Sequence, residues 1–344
     1  MNVKVIYDIL LVMKNKVGKI IVLNIAIILG ALLVSEFIAL SSYKAKYKGL
    51  IEAQANLFGN PREFIKQNSP HYSFPVKFDY NQIDEKVKTK VYKAKNSKKR
   101  PVVTIGCSYT EGNGLDENQT FAYKLNKLTN RTTYNRGVSG SGPQLVYRQL
   151  SDENFKKEIP DAEYVIYTFI HNHLHRQFQT LFCPYTSDIN LKYTLQNGNL
   201  TETSSPFWFM YWSFLVKTYL EWKIVPQFEN EIKNNYQLFN KILQSSVDEM
   251  HKKYPNSKFV LVEFPQSSLC IPKDGFEEDI KKYEEELTEE QIKKIEEMGI
   301  IYINASKLAG HKFCDKRYRL PDGDHPSEVA WDELTPKIVK KLGL

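Results

Sequence analysis

Apolar positions in this chain follow two different patterns. Between Ile20 and Ser42 they are nearly continuous, whereas beyond residue 100 they come in short runs at Val102–Ile105, Tyr164–Ile170, Lys258–Phe264 and Ile300–Ile303. The segments between these runs are long enough for helices, and a further strand is expected at Thr132–Asn135. Glu285–Met298 has helix-like Glu/Lys spacing and ends at Gly299, and the C-terminal segment opens with a Ser327 cap and Glu328. Strands that alternate with helices predict an α/β domain whose parallel sheet is covered on both faces. In such sheets a site forms at the carboxyl ends of the strands.

The first pattern reads IIVLNIAIILGALLVSEFIALSS, with Glu36 its one charged residue and Asn24 its other strongly polar one. At 1.5 Å per residue it spans a bilayer core of about 30 Å. A buried helix of a soluble domain is usually amphipathic, and this one is apolar all round. Residues 20–42 therefore predict a transmembrane helix with membrane lipid as its partner. Lys4, Lys14, Lys16 and Lys19 precede it and Lys44, Lys46 and Lys48 follow, so the charge bias is nearly balanced. A short N-terminal segment favours a signal anchor, with 1–19 cytoplasmic and the bulk of the chain outside. A cleaved signal peptide is the alternative, but no Ala-x-Ala site follows the span.

At 344 residues, 42% hydrophobic and 25% charged, the composition excludes a disordered or fibrous chain, and a mean hydropathy of -0.44 excludes a multi-span transporter. Four cysteines are too few for a disulfide-stapled scaffold of this length. Length alone predicts roughly two domains at about 150 residues each, or one large one. The charge is local: Lys86 to Arg100 holds eight basic residues and no acidic one, and removing them turns +7 into −1. A nucleic-acid reader would carry basic surface through its folded domain, so no nucleic-acid partner is expected. Residues 43–99 read as an extension and solvated basic connector, with anionic lipid or an acidic polymer as the other uses of the charge. The folded domain is placed at 100–344.

The first strand end carries chemistry. Val-Val-Thr-Ile runs into Gly106-Cys107-Ser108-Tyr109-Thr110-Glu111-Gly112, which places a serine hydroxyl at a strand-to-helix turn. Serine needs a base, and Asp322-Gly323-Asp324-His325 supplies an imidazole with a carboxylate to orient it. Glycines in Asn135-Arg136-Gly137-Val138-Ser139-Gly140-Ser141-Gly142 allow a backbone N–H to approach a substrate. After the central strand, Phe169-Ile170-His171-Asn172-His173 offers a side-chain amide as a second oxyanion donor.

Taken in order, these segments resemble the SGNH, or GDSL-type, hydrolase family. The four blocks are G-x-S-x-x-x-G at Gly106–Gly112, N-x-G at Asn135–Gly137, Asn172, and D-x-x-H at Asp322–His325. The resemblance runs from about Arg100 to the end. It implies a flavodoxin-like three-layer α/β/α domain, with Ser108 as nucleophile, His325 as base and Asp322 orienting it. It also implies oxyanion donors from the Ser108 and Gly137 N–H groups and the Asn172 side chain. Cys107 stands where the family usually has Asp, and a packing role is expected for it; His173 replaces the Asp that commonly follows the Asn, and Ile170 a frequent Gly.

His171, His173 and His175 alternate, but a turn would splay them and no carboxylate or cysteine lies nearby, so no metal and no cofactor are expected. His171 and His173 are candidates for substrate contact or structure. Arg176 is a candidate for an anionic substrate group, with a surface ion pair as the commoner use. Pro206–Trp222 carries eight aromatic residues and is interrupted by Lys217 and Glu221. It reads as core or cap, with sugar stacking or a bilayer surface as its other uses. The expectation is a membrane-anchored serine esterase that removes O-acetyl or other O-acyl groups from a surface or secreted glycan. An O-acyltransferase of the same fold and an inactive membrane-tethered glycan-binding module are the alternatives.

Overall fold

The computed structural model describes residues 23–25, 27–38, 41, 89–177, 192–203, 228–266, 286–322 and 324–344. Residues 23–25, 27–38 and 41 are helical and belong to a different compact unit from the described residues from Thr89 onward. Among the described residues no helix is long and apolar enough to cross a membrane, and the rest of the expected 20–42 span lies outside them. The aromatic segment 206–222 also lies outside the described residues.

The larger unit is built on a six-stranded sheet, in chain order β1 (Lys90–Tyr92), β2 (Val102–Gly106), β3 (Thr133–Gly137), β4 (Tyr164–Phe169), β7 (Lys258–Glu263) and β8 (Ile301–Asn304). Its spatial order is β1-β3-β2-β4-β7-β8, with every pair parallel except β1 against β3. Leaving out β1, the five parallel strands run second, first, third, fourth, fifth, which is the flavodoxin-like order. A separate antiparallel pair, β5 (Lys192–Gln196) and β6 (Asn199–Thr203), lies outside this sheet.

Both faces are covered, which explains the unbroken apolar runs. Along β4, Tyr164 and Ile166 pack into one core with Phe121, Trp331 and Ile338, while Val165 and Tyr167 enter the other with Leu150, Phe155, Phe239 and Leu243. Alternate side chains of one strand thus serve two cores. The first core lies under α2 (Phe121–Thr129) and α9 (Glu328–Leu342). The second lies under α3 (Pro143–Ser151), α4 (Glu153–Glu158), α6 (Phe228–Lys253) and α7 (Glu289–Glu297). Ser327 caps α9 by accepting from Ala330 N, as its sequence predicts. α7 begins later than the predicted Glu285, because Thr288 accepts from Gln291 N and fixes the start there.

The edge strand draws part of the expected connector into the sheet. Lys90–Tyr92 pairs with Asn135–Thr133, so the sheet includes residues about ten positions before Arg100, inside the expected 43–99 extension. The basic residues there did not predict a strand because the face they present is solvent. Tyr92 is buried while Lys90 and Val91 are exposed, Lys99 Nζ donates to Thr129 O, and Arg100 pairs with Asp161 at 2.7 Å.

Candidate active site

β2 is where the strand order turns back, flanked by β3 on one side and β4 on the other, and a crevice opens at the carboxyl end of such a strand. Ser108 follows immediately, as the first residue of α1 (Ser108–Glu111). Gly106 makes the turn with φ +147, and a Cβ there would stand 2.5 Å from Thr110 Oγ1 and 2.9 Å from Thr168 O. No other residue fits that position. Cys107 is completely buried, and burial pushes its thiol pKa up against the lowering effect of Arg176. It is a protonated packing residue.

Ser108 and His325 are 217 residues apart in sequence, and His325 Nε2 stands 2.8 Å from Ser108 Oγ. On the other side of the ring, His325 Nδ1 is 2.5 Å from Asp322 Oδ2. Asp322 is held in turn by the backbone, since its Oδ1 accepts from Asp324 N at 2.9 Å and His325 N at 3.0 Å. The D-x-x-H spacing is what lets one carboxylate take both N–H groups and the imidazole. Burial depresses the His325 pKa, but Asp322 through charge and hydrogen bond, with help from Asp324, carries it above the ordinary histidine value.

Two flanking residues, overlooked in the motif itself, brace this arrangement. Tyr109, next to the nucleophile, donates to both Asp324 O and Asp324 Oδ1 at 2.8 Å, next to the base. Its ring lies 5.3 Å from that of His325 and 5.6 Å from that of Phe264. Arg319 also donates to Asp324 O at 2.8 Å, and to Pro265 O at 2.7 Å. Their adjacency to Ser108 and His325 was the available signal; the side-chain direction was not.

The expected oxyanion donors divide. Ser108 N–H, at the first position of a helix, has no partner four residues back. Asn172 stands in the turn after β4, its own N–H donating to Gln266 Oε1 at 2.8 Å, and its Oδ1 is buried without a partner among the described residues. Its Nδ2, the atom that would donate to an oxyanion, makes no hydrogen bond among the described residues. Gly137 is not available: its N–H donates to Asn135 Oδ1 at 3.0 Å, and Asn135 Nδ2 reaches Thr110 O at 3.0 Å. Asn135 is a staple between β3 and the nucleophile turn, and Gly137 is required by packing, with a Cβ 2.2 Å from Glu111 N. Further along the same loop, Gly140 has φ +75 and its N–H makes no hydrogen bond among the described residues. The loop is fastened by Ser139 N donating to Glu111 Oε2 at 2.7 Å and by Ser141 Oγ donating to Gly106 O at 2.9 Å.

The three residues proposed for substrate contact also divide. His171 is half-buried against the Phe169 ring. His173 is completely buried, stacked on Tyr167 with Nδ1 2.7 Å from Tyr167 Oη, and burial, then the Arg176 charge, holds its pKa well below 6.5. It is a neutral core histidine that a substrate does not reach, because the turn after β4 begins α5 (His173–Arg176) and directs it inward. Arg176 is 8% exposed and donates to Ser141 O at 2.9 Å, so it is no surface ion pair. Among the described residues no group of three His, Cys, Asp or Glu is placed to hold a metal ion. Cys314 is disulfide-bonded; Cys107 is free, and Cys183 and Cys270 lie outside the described residues.

A hydroxyl, an imidazole and a carboxylate linked in that order form the arrangement of a nucleophile, its base and the group that orients the base. No protein-family model and no curated protein matches the chain. Among solved structures, it is similar to a lipolytic protein of the G-D-S-L family from Desulfitobacterium hafniense, at TM-score 0.42 and 11% identity over 70% of this chain and 99% of that one. It is also similar to a GDSL-like lipase from Parabacteroides merdae, at TM-score 0.41 and 14% identity over 73% of this chain and 99% of that one. A catalytic mutant of an acetylxylan esterase from Geobacillus stearothermophilus is similar at TM-score 0.40 and 12% identity, over 71% of this chain and 94% of that one.

Proposed function

We propose that this chain is an SGNH-type serine esterase, anchored to a membrane by residues 20–42 with its catalytic domain outside the cytoplasm, which removes O-acetyl groups from a surface or secreted glycan. The observation that carries the esterase reading is the contact of His325 Nε2 with Ser108 Oγ at 2.8 Å, backed by Asp322. Ser108 Oγ attacks the carbonyl carbon of the ester while its proton passes to His325 Nε2. The negative charge then falls on the former carbonyl oxygen, where Ser108 N–H, Asn172 Nδ2 and the open Gly140 N–H are the donors on offer. His325 returns the proton to the departing sugar hydroxyl, and a water activated by the same histidine releases acetate.

Two features support the location. The apolar run at 20–42 has the length and composition of a span, and a disulfide at Cys314 suits an oxidising compartment. A chain tethered there, with a long extension before its catalytic domain, meets envelope polymers before it meets soluble metabolites. The test is to incubate the purified full chain with an O-acetylated polysaccharide and an unacetylated oligosaccharide acceptor. Release of free acetate exceeding transfer supports the esterase, transfer exceeding release selects the acyltransferase, and neither selects the binding module.

A further inference from the structure

Arg176 is outside the triad, yet it touches both segments that supply oxyanion donors. Its N–H donates to Asn172 O at 3.0 Å, so it stands one helical turn after that amide. Its Nη1 donates to Ser141 O at 2.9 Å, and Ser141 Oγ continues to Gly106 O, two residues before the nucleophile. Gln144 Nε2 closes the bridge by donating to Arg176 O at 3.0 Å. The backbone is fitted to this side chain: a Cβ on Gly142 would stand 2.9 Å from Arg176 Cβ and 2.5 Å from Gln144 Oε1.

We infer that Arg176 is a positioning residue that locks the Asn172 turn to the 138–142 loop, so that the oxyanion donors on two separate strand ends keep one geometry. This rests on the esterase reading for its kinetic consequence. A guanidinium suits the task because its planar fork holds a fixed direction that a flexible ammonium does not. The buried charge has a second effect that a neutral brace would lack. His325 faces Ser108 Oγ, the Tyr109 ring, and the carboxylates of Asp322 and Asp324. Asp322 and Asp324 raise its pKa, and Arg176 opposes them.

The test uses the full chain in detergent, with Arg176→Met and Arg176→Lys, on a small acetyl ester. In Arg176→Met, kcat should fall about 10²-fold, as for loss of one oxyanion donor, with KM within about twofold. The acid limb of its kcat/KM profile should move to higher pH, because removing a nearby cation favours protonated His325. Arg176→Lys should return the limb to the parent position and recover roughly tenfold of the rate, and it carries the test if Arg176→Met fails to fold. Hydrogen exchange of the 138–142 amides, which needs no activity, should quicken in Arg176→Met. A kcat within threefold of the parent with unchanged exchange overturns the inference, as does a limb that stays put. If the parent protein hydrolyses no ester, the esterase reading falls, and exchange then decides on Arg176 by itself: faster upholds it, unchanged overturns it.

Discussion

Replacing Tyr109 by phenylalanine takes one hydroxyl from behind the triad and leaves the packing in place. That hydroxyl donates to Asp324 O and Oδ1, both at 2.8 Å, and burial with the Asp324 charge keeps its pKa well above 10, so it remains a donor at every working pH. Asp324 O still receives Arg319 Nη1 at 2.8 Å, whereas the carboxylate loses a charge-assisted hydrogen bond, about 1.5–3 kcal/mol. The ring stays between Phe264 and His325, so no cavity cost is added. At roughly 2–4 °C per kcal/mol for a domain of this size, the melting temperature should fall by about 3–12 °C. The same bond fixes the neighbour of His325 against the neighbour of Ser108, and loosening the 2.8 Å contact toward 3.5 Å or more should cost about 10- to 100-fold in kcat/KM. Thermal denaturation followed by circular dichroism, with hydrolysis of a small acetyl ester at fixed pH, reads both effects. A melt within 1 °C and a rate within twofold of the parent would refute this account of the brace.

Asp322→Asn should lower kcat by about 10²- to 10⁴-fold and move the acid limb of the pH profile downward, since Asp322 is what holds the His325 pKa above its ordinary value; a limb that stays in place would show that another group sets it. Gly137→Ala should lose expression or melt several degrees lower, because its Cβ would meet Glu111 N at 2.2 Å; an unchanged melt would contradict the packing account of this glycine. Burial raises the Glu333 carboxyl, but hydrogen bonds from Lys337, Tyr318 and His311 outweigh it and lower the pKa to about 2. Its stabilisation is therefore present above about pH 4.5 and lost as pH falls toward about 2. Glu333→Gln should cost about 1–2 kcal/mol at pH 7 in urea denaturation and almost nothing at pH 2, and an equal cost at both would contradict that assignment.

The parallel sheet and triad were legible because both leave local marks. β4 is buried at every position and carries one polar residue, Thr168, as a strand covered on two faces allows, and Gly106 and Ser108 sit at the end of β2 while His325 lies just before the Ser327 cap of the last helix. β1 was missed because its two exposed residues, Lys90 and Val91, leave Tyr92 as its single core position. His173 and Arg176 were misplaced for a different reason. Polarity at a strand end suggests solvent or substrate, but α5 turns both inward, where His173 Nδ1 meets Tyr167 Oη and Arg176 Nη1 donates to Ser141 O. Gly137 and Gly140 are indistinguishable as letters. Only the bond from Gly137 N–H to Asn135 Oδ1 shows which of the two is already committed.

The central claim is that Ser108, and not its neighbour Cys107, attacks the ester. The most direct measurement is hydrolysis of a small acetyl ester by Ser108→Ala and Cys107→Ala in the full chain, with the acyl-enzyme trapped at early times and located by peptide mass. Activity abolished in Ser108→Ala, at least one-third retained in Cys107→Ala, and an acetyl group on the Ser108 peptide is the predicted result. Activity that survives Ser108→Ala and disappears with Cys107→Ala would contradict it.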